Sequence, residues 1–199
     1  VGAVIGSGRA GFRDGSFAEA EFRSPQGIAS DGRVVYLADE GNHAVRLIDL
    51  DTRVVRTLSG TGSQAREFNR YGDASSTPLN SPWDLALAGE TLFIAMAGSH
   101  QIWRMDLQRG IIRPHAGTVH EGRRDGPLMR ADFAQPSGLA TDGRRLSVAD
   151  SENSAIRAAA IAPDGAVETL AGGDLFDFGD ADGVGLAARF QHPMGVAFH

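Results

Sequence analysis

The sequence lacks several features that would point to common classes of protein. It contains no cysteine, which excludes disulfide bonds, thiol redox chemistry and thiolate metal sites within its 199 residues. No apolar run approaches the roughly 20 residues that a membrane-spanning helix needs, and no segment sustains a helical hydrophobic period. The net charge of −6 is spread along the chain, which disfavours nucleic acid and anionic membranes as partners.

The composition is that of a turn-rich globular protein. Hydrophobic residues make up 42% of the chain and charged residues 22%, with 26 glycines and 8 prolines. This hydrophobic content is enough for a packed core and argues against disorder. Residues 1–6 lack the basic stretch and long apolar run of a signal peptide, although a fragment would have lost such a segment in any case. We expect a cytoplasmic protein.

A proline that precedes a short apolar run returns along the chain. Its four copies are Pro25, Pro82, Pro136 and Pro193. Successive copies are 57, 54 and 57 residues apart. A repeat of this length indicates an array of small units, none of which buries its apolar face alone.

The first unit reads as four short strands separated by turns. The strand-like runs lie at residues 26–30, 34–38, 44–50 and 54–58. Asp-Gly and Gly-Asn pairs between them are typical of tight hairpin turns. Four antiparallel strands repeated in series predict an all-β fold, namely a β-propeller with four-stranded blades.

The residues of the first unit resemble the NHL-repeat propeller proteins. The matching segments are Pro25–Ala29, Tyr36–Asp39 and Asn42–Asp49, and the third unit echoes them in Val148–Arg157. Three further segments resemble one subgroup, in which NHL repeats are fused to a thioredoxin-like domain: Leu79–Ala86, Ile94–Trp103 and Leu175–Gly185. The resemblance covers essentially the whole chain. It implies an NHL-type β-propeller of six blades, with the thioredoxin-like domain outside these residues.

The repeat phase divides residues 1–199 into three blades and two partial blades. We expect blades at residues 12–60, 71–117 and 124–173, the outer strand of a preceding blade at 1–6 and the start of the next blade at 182–199. Joining these ends would leave one blade without its two middle strands, and open sheet edges are unfavourable. The sequence therefore predicts a fragment, about three and a half blades, of a larger ring.

An aspartate and an arginine occur together in two units, and both are replaced in the other unit. The pairs are Asp39 with Arg46, Asp150 with Arg157 and, as the replacement, Met96 with Trp103. A buried ion pair requires joint replacement, because removing one partner leaves a buried charge. Asp31 and Asp142 vary in step, so we expect them to be competing or additional partners of the arginines. We interpret this set as structural.

The second unit contains large residues that its neighbours lack. Trp83, Met96, His100 and Trp103 form a candidate interaction surface, because tryptophan and methionine suit an interaction hot spot. Packing between blades is the alternative interpretation of the same residues. The long loops at 60–81, 117–135 and 172–192 are expected on the same face of the propeller as the turns between second and third strands, and loops of this length are often functional.

These observations favour a non-catalytic propeller module that contacts a protein partner or a small ligand through its loop face. We name no catalytic, metal-binding or cofactor-binding residue, because no nucleophile elbow or metal-ligand spacing occurs. Two alternatives stay open: a lyase or hydrolase with a metal at the propeller axis, and an RNA-binding propeller. The strands expected at the axis are small and apolar, and Asp84 is their one carboxylate. Any thiol redox activity would lie in the fused domain, outside this chain.

Overall fold

A computed structural model describes residues 2–67 and 71–198 of the chain. In this part the fold is all-β and consists of three antiparallel sheets with five strands each. The sheets are successive blades of a β-propeller, as the sequence repeat predicted. We call them blade 1, blade 2 and blade 3 in chain order.

Every blade has the same strand order. In blade 1 the order across the sheet is β1-β5-β4-β3-β2, so the chain enters at one edge with β2 and runs outward. Blade 1 comprises Gly15–Ser16 (β1), Pro25–Ser30 (β2), Val34–Asp39 (β3), Ala44–Asp49 (β4) and Val54–Ser59 (β5). Blade 2 comprises Gly72–Asp73 (β6), Pro82–Ala88 (β7), Thr91–Met96 (β8), Gln101–Asp106 (β9) and Ile111–Ala116 (β10). Blade 3 comprises Gly126–Pro127 (β11), Pro136–Thr141 (β12), Arg145–Asp150 (β13), Ala155–Ala160 (β14) and Ala166–Gly172 (β15).

Short 3₁₀ turns accompany the sheets. Among the described residues they lie at Glu40–Asn42, Ala97–Ser99, Leu128–Arg130 and Gly185–Ala187. The first two connect the second and third long strands of blades 1 and 2, and thus lie at corresponding places in the repeat.

The fifth strand of each blade is a two-residue segment that the four-stranded prediction did not include. In blade 1, Gly15 lies opposite Val55 and Ser16 lies opposite Val54, so β1 covers the outer edge of β5. Gly15 has a φ of 148°, which glycine adopts readily because it has no Cβ. The chain therefore covers the outer edge of a blade before it enters the inner strand, and a covered edge is protected from pairing with other chains.

The inner strands β2, β7 and β12 pack side by side, and apolar clusters fill the space between blades. Trp103 and Leu47 belong to the cluster between blades 1 and 2. Ile102 and Phe133 belong to the cluster between blades 2 and 3. Adjacent residues on β9 face different neighbours because successive strand side chains point to opposite faces of the sheet.

The expected partial blades are not strands in the structure. Residues 2–6 have no assigned strand, and residues 182–198 contain the 3₁₀ turn at Gly185–Ala187 and a bridge from Arg189 to Ala181. A strand requires a continuous hydrogen-bonded neighbour, whereas the described backbone bonds of these segments are isolated ones, such as Gly6 N–H to Phe17 O at 2.7 Å and Arg189 N–H to Ala181 O at 2.9 Å. Val1, His199 and residues 68–70 of the predicted loop lie outside the described residues.

Candidate functional site

The expected partners Asp39 and Arg46 meet inside blade 1. Arg46 Nη1 donates to Asp39 Oδ2 at 2.8 Å, and both side chains are fully buried. Asp39 also accepts hydrogen bonds from the backbone N–H of Arg23 at 2.7 Å and from the side-chain amide of Asn42 at 2.8 Å. The guanidinium lies 5.1 Å from the ring centre of Phe22, a cation–π distance.

Blade 3 repeats this arrangement. Arg157 Nη1 donates to Asp150 Oδ2 at 2.6 Å, and Asn153 donates to the same oxygen at 2.7 Å. Phe133 lies 5.2 Å from the Arg157 guanidinium. Burial raises the pKa of Asp150 to about 6, and the charge of Arg157 opposes that rise. Each buried arginine is therefore paired with a buried aspartate of its own blade, which supports a structural role for both pairs.

Asp31 and Asp142 do not join these clusters, so the expectation that they contact the arginines was wrong. Each lies in the turn between the first two long strands of its blade, at the far end of the second strand from Asp39 or Asp150. Asp31 Oδ1 accepts hydrogen bonds from the backbone N–H groups of Arg33 at 2.9 Å and Val34 at 2.8 Å. Asp142 makes the corresponding bonds in blade 3. These are local Asx-type turns, which an aspartate before a glycine forms readily.

The second carboxylate of each cluster comes from the residue just before the short fifth strand. Asp14 Oδ1 accepts a hydrogen bond from Arg46 Nη2 at 2.7 Å, and its carboxylate also accepts from the N–H and hydroxyl of Thr57. Burial acts to raise the pKa of Asp14, but the bonds from Thr57 and Arg46 outweigh it and hold the pKa below the usual value. Asp125 has the same role beside Arg157 in blade 3. The sequence analysis did not identify Asp14 and Asp125 as partners of the arginines.

In blade 2, different residues occupy all five positions that form this cluster in blade 1. The strand register places Tyr71 at the position of Asp14, next to Gly72, and Pro114 at the position of Thr57, opposite Trp103. The full replacement set is Tyr71, Met96, Ser99, Trp103 and Pro114. The hydroxyl of Ser99 is buried without a hydrogen-bond partner among the described residues. At this position blade 1 has Asn42, which donates to Asp39, whereas Met96 offers no carboxylate.

Two residues of the candidate interaction surface are interior residues. Met96 is 1% exposed and Trp103 is 3% exposed, and both pack in the cluster between blades 1 and 2. The indole N–H of Trp103 donates to Gln101 Oε1 at 2.9 Å, which satisfies its polar atom. The alternative interpretation, packing between blades, therefore describes Met96 and Trp103.

Trp83 is half-buried and lines a groove at the start of the inner strands. The groove encloses a cavity of about 70 Å³ whose other walls come from Ala97 of blade 2, from blade 3 and from the residues on either side of Pro193. At one side Glu152 Oε2 lies 3.5 Å from His192 Nε2. Met194, on the opposite side of Pro193 from His192, is 53% exposed. We call this feature the Trp83 groove; it is lined by Trp83, Ala97, Gln135, Ser137, Ser151, Glu152, His192 and Met194.

His100 connects two blades. Its Nδ1 accepts a hydrogen bond from the backbone N–H of Gln135, just before Pro136, at 3.1 Å. His43 makes the corresponding contact with the N–H of Ser81 at 3.1 Å. Burial lowers the pKa of both histidines, which favours the neutral ring that an Nδ1 acceptor requires. His100 therefore joins blade 2 to blade 3 instead of facing outward.

Asp84 lies where the inner strands of all three blades meet. Its Oδ2 accepts the backbone N–H of Leu139 in blade 3 at 2.8 Å, and its Oδ1 accepts the N–H of Leu85. Gly27 of blade 1 approaches the Asp84 Cα so closely that an added Cβ would lie 2.7 Å from it. Burial raises the pKa of Asp84, although its two backbone hydrogen bonds oppose the rise. Both of its oxygens are engaged with the inner strands.

The repeated sheets and their buried clusters define the class of protein: the chain is an NHL-type β-propeller. It is 39% identical to human NHL repeat-containing protein 2 over 223 residues and 40% identical to the Bos taurus protein of that name. Each match covers 98% of this chain and 31% of the relative, so the chain spans about a third of those proteins' length. The Arabidopsis thaliana protein SUPPRESSOR OF QUENCHING 1, chloroplastic, is 42% identical over 96% of the chain and 19% of its own length. The predicted resemblance to NHL-repeat proteins is confirmed.

Solved structures show the same fold at low sequence identity. A streptogramin B lyase has a TM-score of 0.56 with 13% identity, over 93% of this chain and 48% of the lyase. An auxiliary nutrient binding protein from Bacteroides thetaiotaomicron has a TM-score of 0.51 with 19% identity, over 98% of this chain and 70% of that one. No protein-family model matches the chain. In residues 2–67 and 71–198, no helix has the length and apolar character needed to cross a membrane.

Proposed function

We propose that the chain is a non-catalytic interaction module that binds a protein partner or a small ligand at the Trp83 groove. The observation that carries this proposal is the half-buried indole of Trp83 at a position where the other units have Gln26, Ser137 and Met194. A large aromatic side chain left partly exposed beside a cavity provides contact area at low cost in conformational entropy.

The buried charges support this assignment by elimination. Arg46 and Arg157 are each surrounded by carboxylates of their own blade, and both oxygens of Asp84 accept backbone hydrogen bonds. Among the described residues, no three histidine, cysteine, aspartate or glutamate side chains are grouped closely enough to hold a metal ion. The likeness to streptogramin B lyase extends to the fold alone, so we assign no lyase chemistry to this chain.

A photocrosslinking experiment tests the role of the groove. A benzophenone amino acid in place of Trp83 is expected to form adducts with a partner, and the Ser137→Trp substitution, which fills the groove, is expected to abolish them. The matched control carries the same probe in place of Arg56, an exposed residue on the outer strand β5. Adducts of equal yield from both positions, or none from position 83, would contradict the proposal.

The wider context of the module is also a proposal. From the sequence resemblance, we propose that the parent protein carries a thioredoxin-like domain and lies in the cytoplasm, without nucleic acid or membrane as partners. The name of the Arabidopsis relative places that protein in the chloroplast, so the compartment of the parent protein needs its own test. Fractionation of cells, followed by a disulfide-reduction assay of the full-length protein, tests the compartment and the domain. Metal analysis and RNA titration of the same preparation test the two alternative functions.

A further inference from the structure

Two arginines lie opposite each other on the outer part of blade 2. Arg104 on β9 is the register partner of Arg113 on β10. Like charges directly opposite in a sheet destabilise it unless something compensates them. Within residues 2–67 and 71–198, neither guanidinium forms an ion pair or a side-chain hydrogen bond. Burial lowers the pKa of Arg104, and the charge of Arg113 lowers it further.

Space for a ligand lies beside this pair. A cavity of about 340 Å³ is lined by Thr91, Arg104, Asp106, Arg109, Ile111 and Arg113. Asp106 is already paired with Arg109 at 3.1 Å and also accepts the backbone N–H groups of Gln108 and Arg109. The cavity therefore presents two uncompensated guanidinium groups, in a protein whose net charge is −6.

The arginine pair is a property of blade 2 and not of the repeat. The corresponding register partners are Leu47 and Arg56 in blade 1, and Ala158 and Glu168 in blade 3. Both of those blades form the same five-stranded sheet without two facing arginines. Blade architecture consequently does not require the pair, so its electrostatic cost needs another explanation.

We propose that Arg104 and Arg113 bind a phosphate monoester group in this cavity. Adjacent strands are about 4.8 Å apart, so two guanidinium groups in register can reach oxygens of one phosphate. A phosphate monoester carries a charge of about −1.5 to −2 near pH 7, which matches the two unpaired positive charges. The Thr91 side chain lines the same cavity and offers a hydroxyl donor. This site lies toward the β9–β10 turn, whereas the Trp83 groove lies at the start of the inner strands, so neither proposal rests on the other.

His115 provides a reporter for the site. It lines a second cavity that also contacts Arg104 and Arg113, and its Nε2 lies 2.8 Å from the carbonyl oxygen of Ala160. Burial lowers the pKa of His115, and the two arginines lower it further. A bound dianion compensates the arginines, so the pKa of His115 is expected to rise on binding.

The experiment is a calorimetric and NMR titration of the purified protein with inorganic phosphate, phosphoserine and phenyl phosphate. Potassium chloride at equal ionic strength is the blank, because screening alone changes surface electrostatics. We expect saturable binding, a raised His115 pKa and an affinity loss of about tenfold or more for Arg113→Gln, since each charge-assisted bond contributes that much. Arg113 is exposed, so its replacement leaves the core intact.

Arg56→Gln is the matched control, because Arg56 occupies the same repeat position in blade 1 but faces Leu47. This variant is expected to bind phosphate like the wild type. Tighter binding of the two esters than of inorganic phosphate would assign the site to phosphorylated side chains or metabolites, and equal binding would assign it to free phosphate. The proposal is overturned if binding does not saturate below about 10 mM, or if Arg113→Gln binds as well as Arg56→Gln.

Discussion

Asp14 and Arg46 are 32 residues apart in the chain, yet Asp14 Oδ1 and Arg46 Nη2 meet at 2.7 Å. The contact joins the residue just before the short outer strand β1 to β4, which lies on the far side of β5. Because Asp39 binds the other terminal nitrogen of Arg46, the arginine links two carboxylates from different parts of one blade, one at the end of β3 and one just before β1. A single buried cation thus couples the outer edge of the blade to its interior.

Removing the fully buried partner of Arg46 is expected to be severe. Asp39→Ala leaves the guanidinium buried with fewer partners, and we expect a loss of about 3–5 kcal/mol in the free energy of unfolding. Chemical denaturation followed by circular dichroism measures this loss. Asp51→Ala, which removes an exposed ion pair with Arg33, is the control and is expected to change stability little. Equal effects of the two substitutions would show that burial of the pair is unimportant.

Blade 2 should reject the aspartate that the other blades require. Met96→Asp places a carboxyl in an apolar cluster without an arginine, so we expect a loss of about 3–5 kcal/mol in stability. Adding Trp103→Arg should restore part of it by supplying the counter-charge. Met129→Asp, at a residue that is 52% exposed, is the matched control. If the double variant is no more stable than Met96→Asp alone, the joint replacement seen between blades has another cause.

The carboxylate of Asp14 should contribute to the acid stability of the fold. Its pKa is lowered in the folded protein, so its stabilising effect is present above the unfolded value of 3.8 and is lost as pH falls through the folded pKa. We therefore expect the stability difference between wild type and Asp14→Asn to shrink as the pH is lowered below 3.8. Urea denaturation at a series of pH values measures it. A difference independent of pH would contradict an ionised Asp14 in the folded state.

The contact from His100 to Gln135 should weaken in mild acid. Because burial lowers the pKa of His100, the unfolded chain binds the proton more readily, and stability falls as pH decreases through 6.5. His100→Ser introduces the residue that blade 3 has at this position, Ser154, whose hydroxyl accepts the N–H of His192. We expect this variant to lose part of the slope of stability against pH, as measured by thermal unfolding. An unchanged slope would assign the titration to other groups.

The approach of Gly27 to Asp84 predicts a difference between equivalent glycines. A Cβ at Gly27 would overlap the Asp84 carboxylate and crowd its backbone, so Gly27→Ala should cost about 1–3 kcal/mol in stability. Gly195 occupies the same repeat position and has nothing within 4 Å of an added Cβ, so Gly195→Ala is expected to be nearly neutral. Thermal denaturation of both variants measures the difference. Similar melting temperatures would show that the inner strands adjust without strain.

The repeat spacing and turn residues were sufficient to predict the propeller, because each hairpin is determined by a few turn residues and the short strands next to them. The joint replacement of Asp39 and Arg46 by Met96 and Trp103 also identified residues that meet in space. The partner Asp14 was not predictable in the same way. Its position depends on pairing between β1 and β5, which are neighbours in the sheet but are separated in sequence by the other three strands of the blade.

Residue type alone could not separate exposed from buried large side chains in blade 2. Trp103 and Met105 are two residues apart on β9 and face the same apolar cluster, whereas Trp83 begins an inner strand beside a groove. Two sequence signals indicate where these side chains lie. The two-residue period of a strand places Trp103 on the same face as Met105, and the comparison between units identifies Tyr71 and Pro114 as replacements. Those two residues show that an aspartate and a threonine are lost together with the arginine.

The order of strands across each blade has a consequence for synthesis on the ribosome. The outer segment β1 emerges first, but its pairing partner β5 ends at Ser59, so the earliest part of a blade is the last to be hydrogen-bonded. Until β5 has been made, one edge of β4 has no neighbouring strand and the Arg46 side chain has no second carboxylate held beside it. A nascent chain that pauses just before β5 thus exposes the open edge of β4 and the Arg46 cation, which makes the turn between β4 and β5 a point of vulnerability to misfolding and of recognition by chaperones.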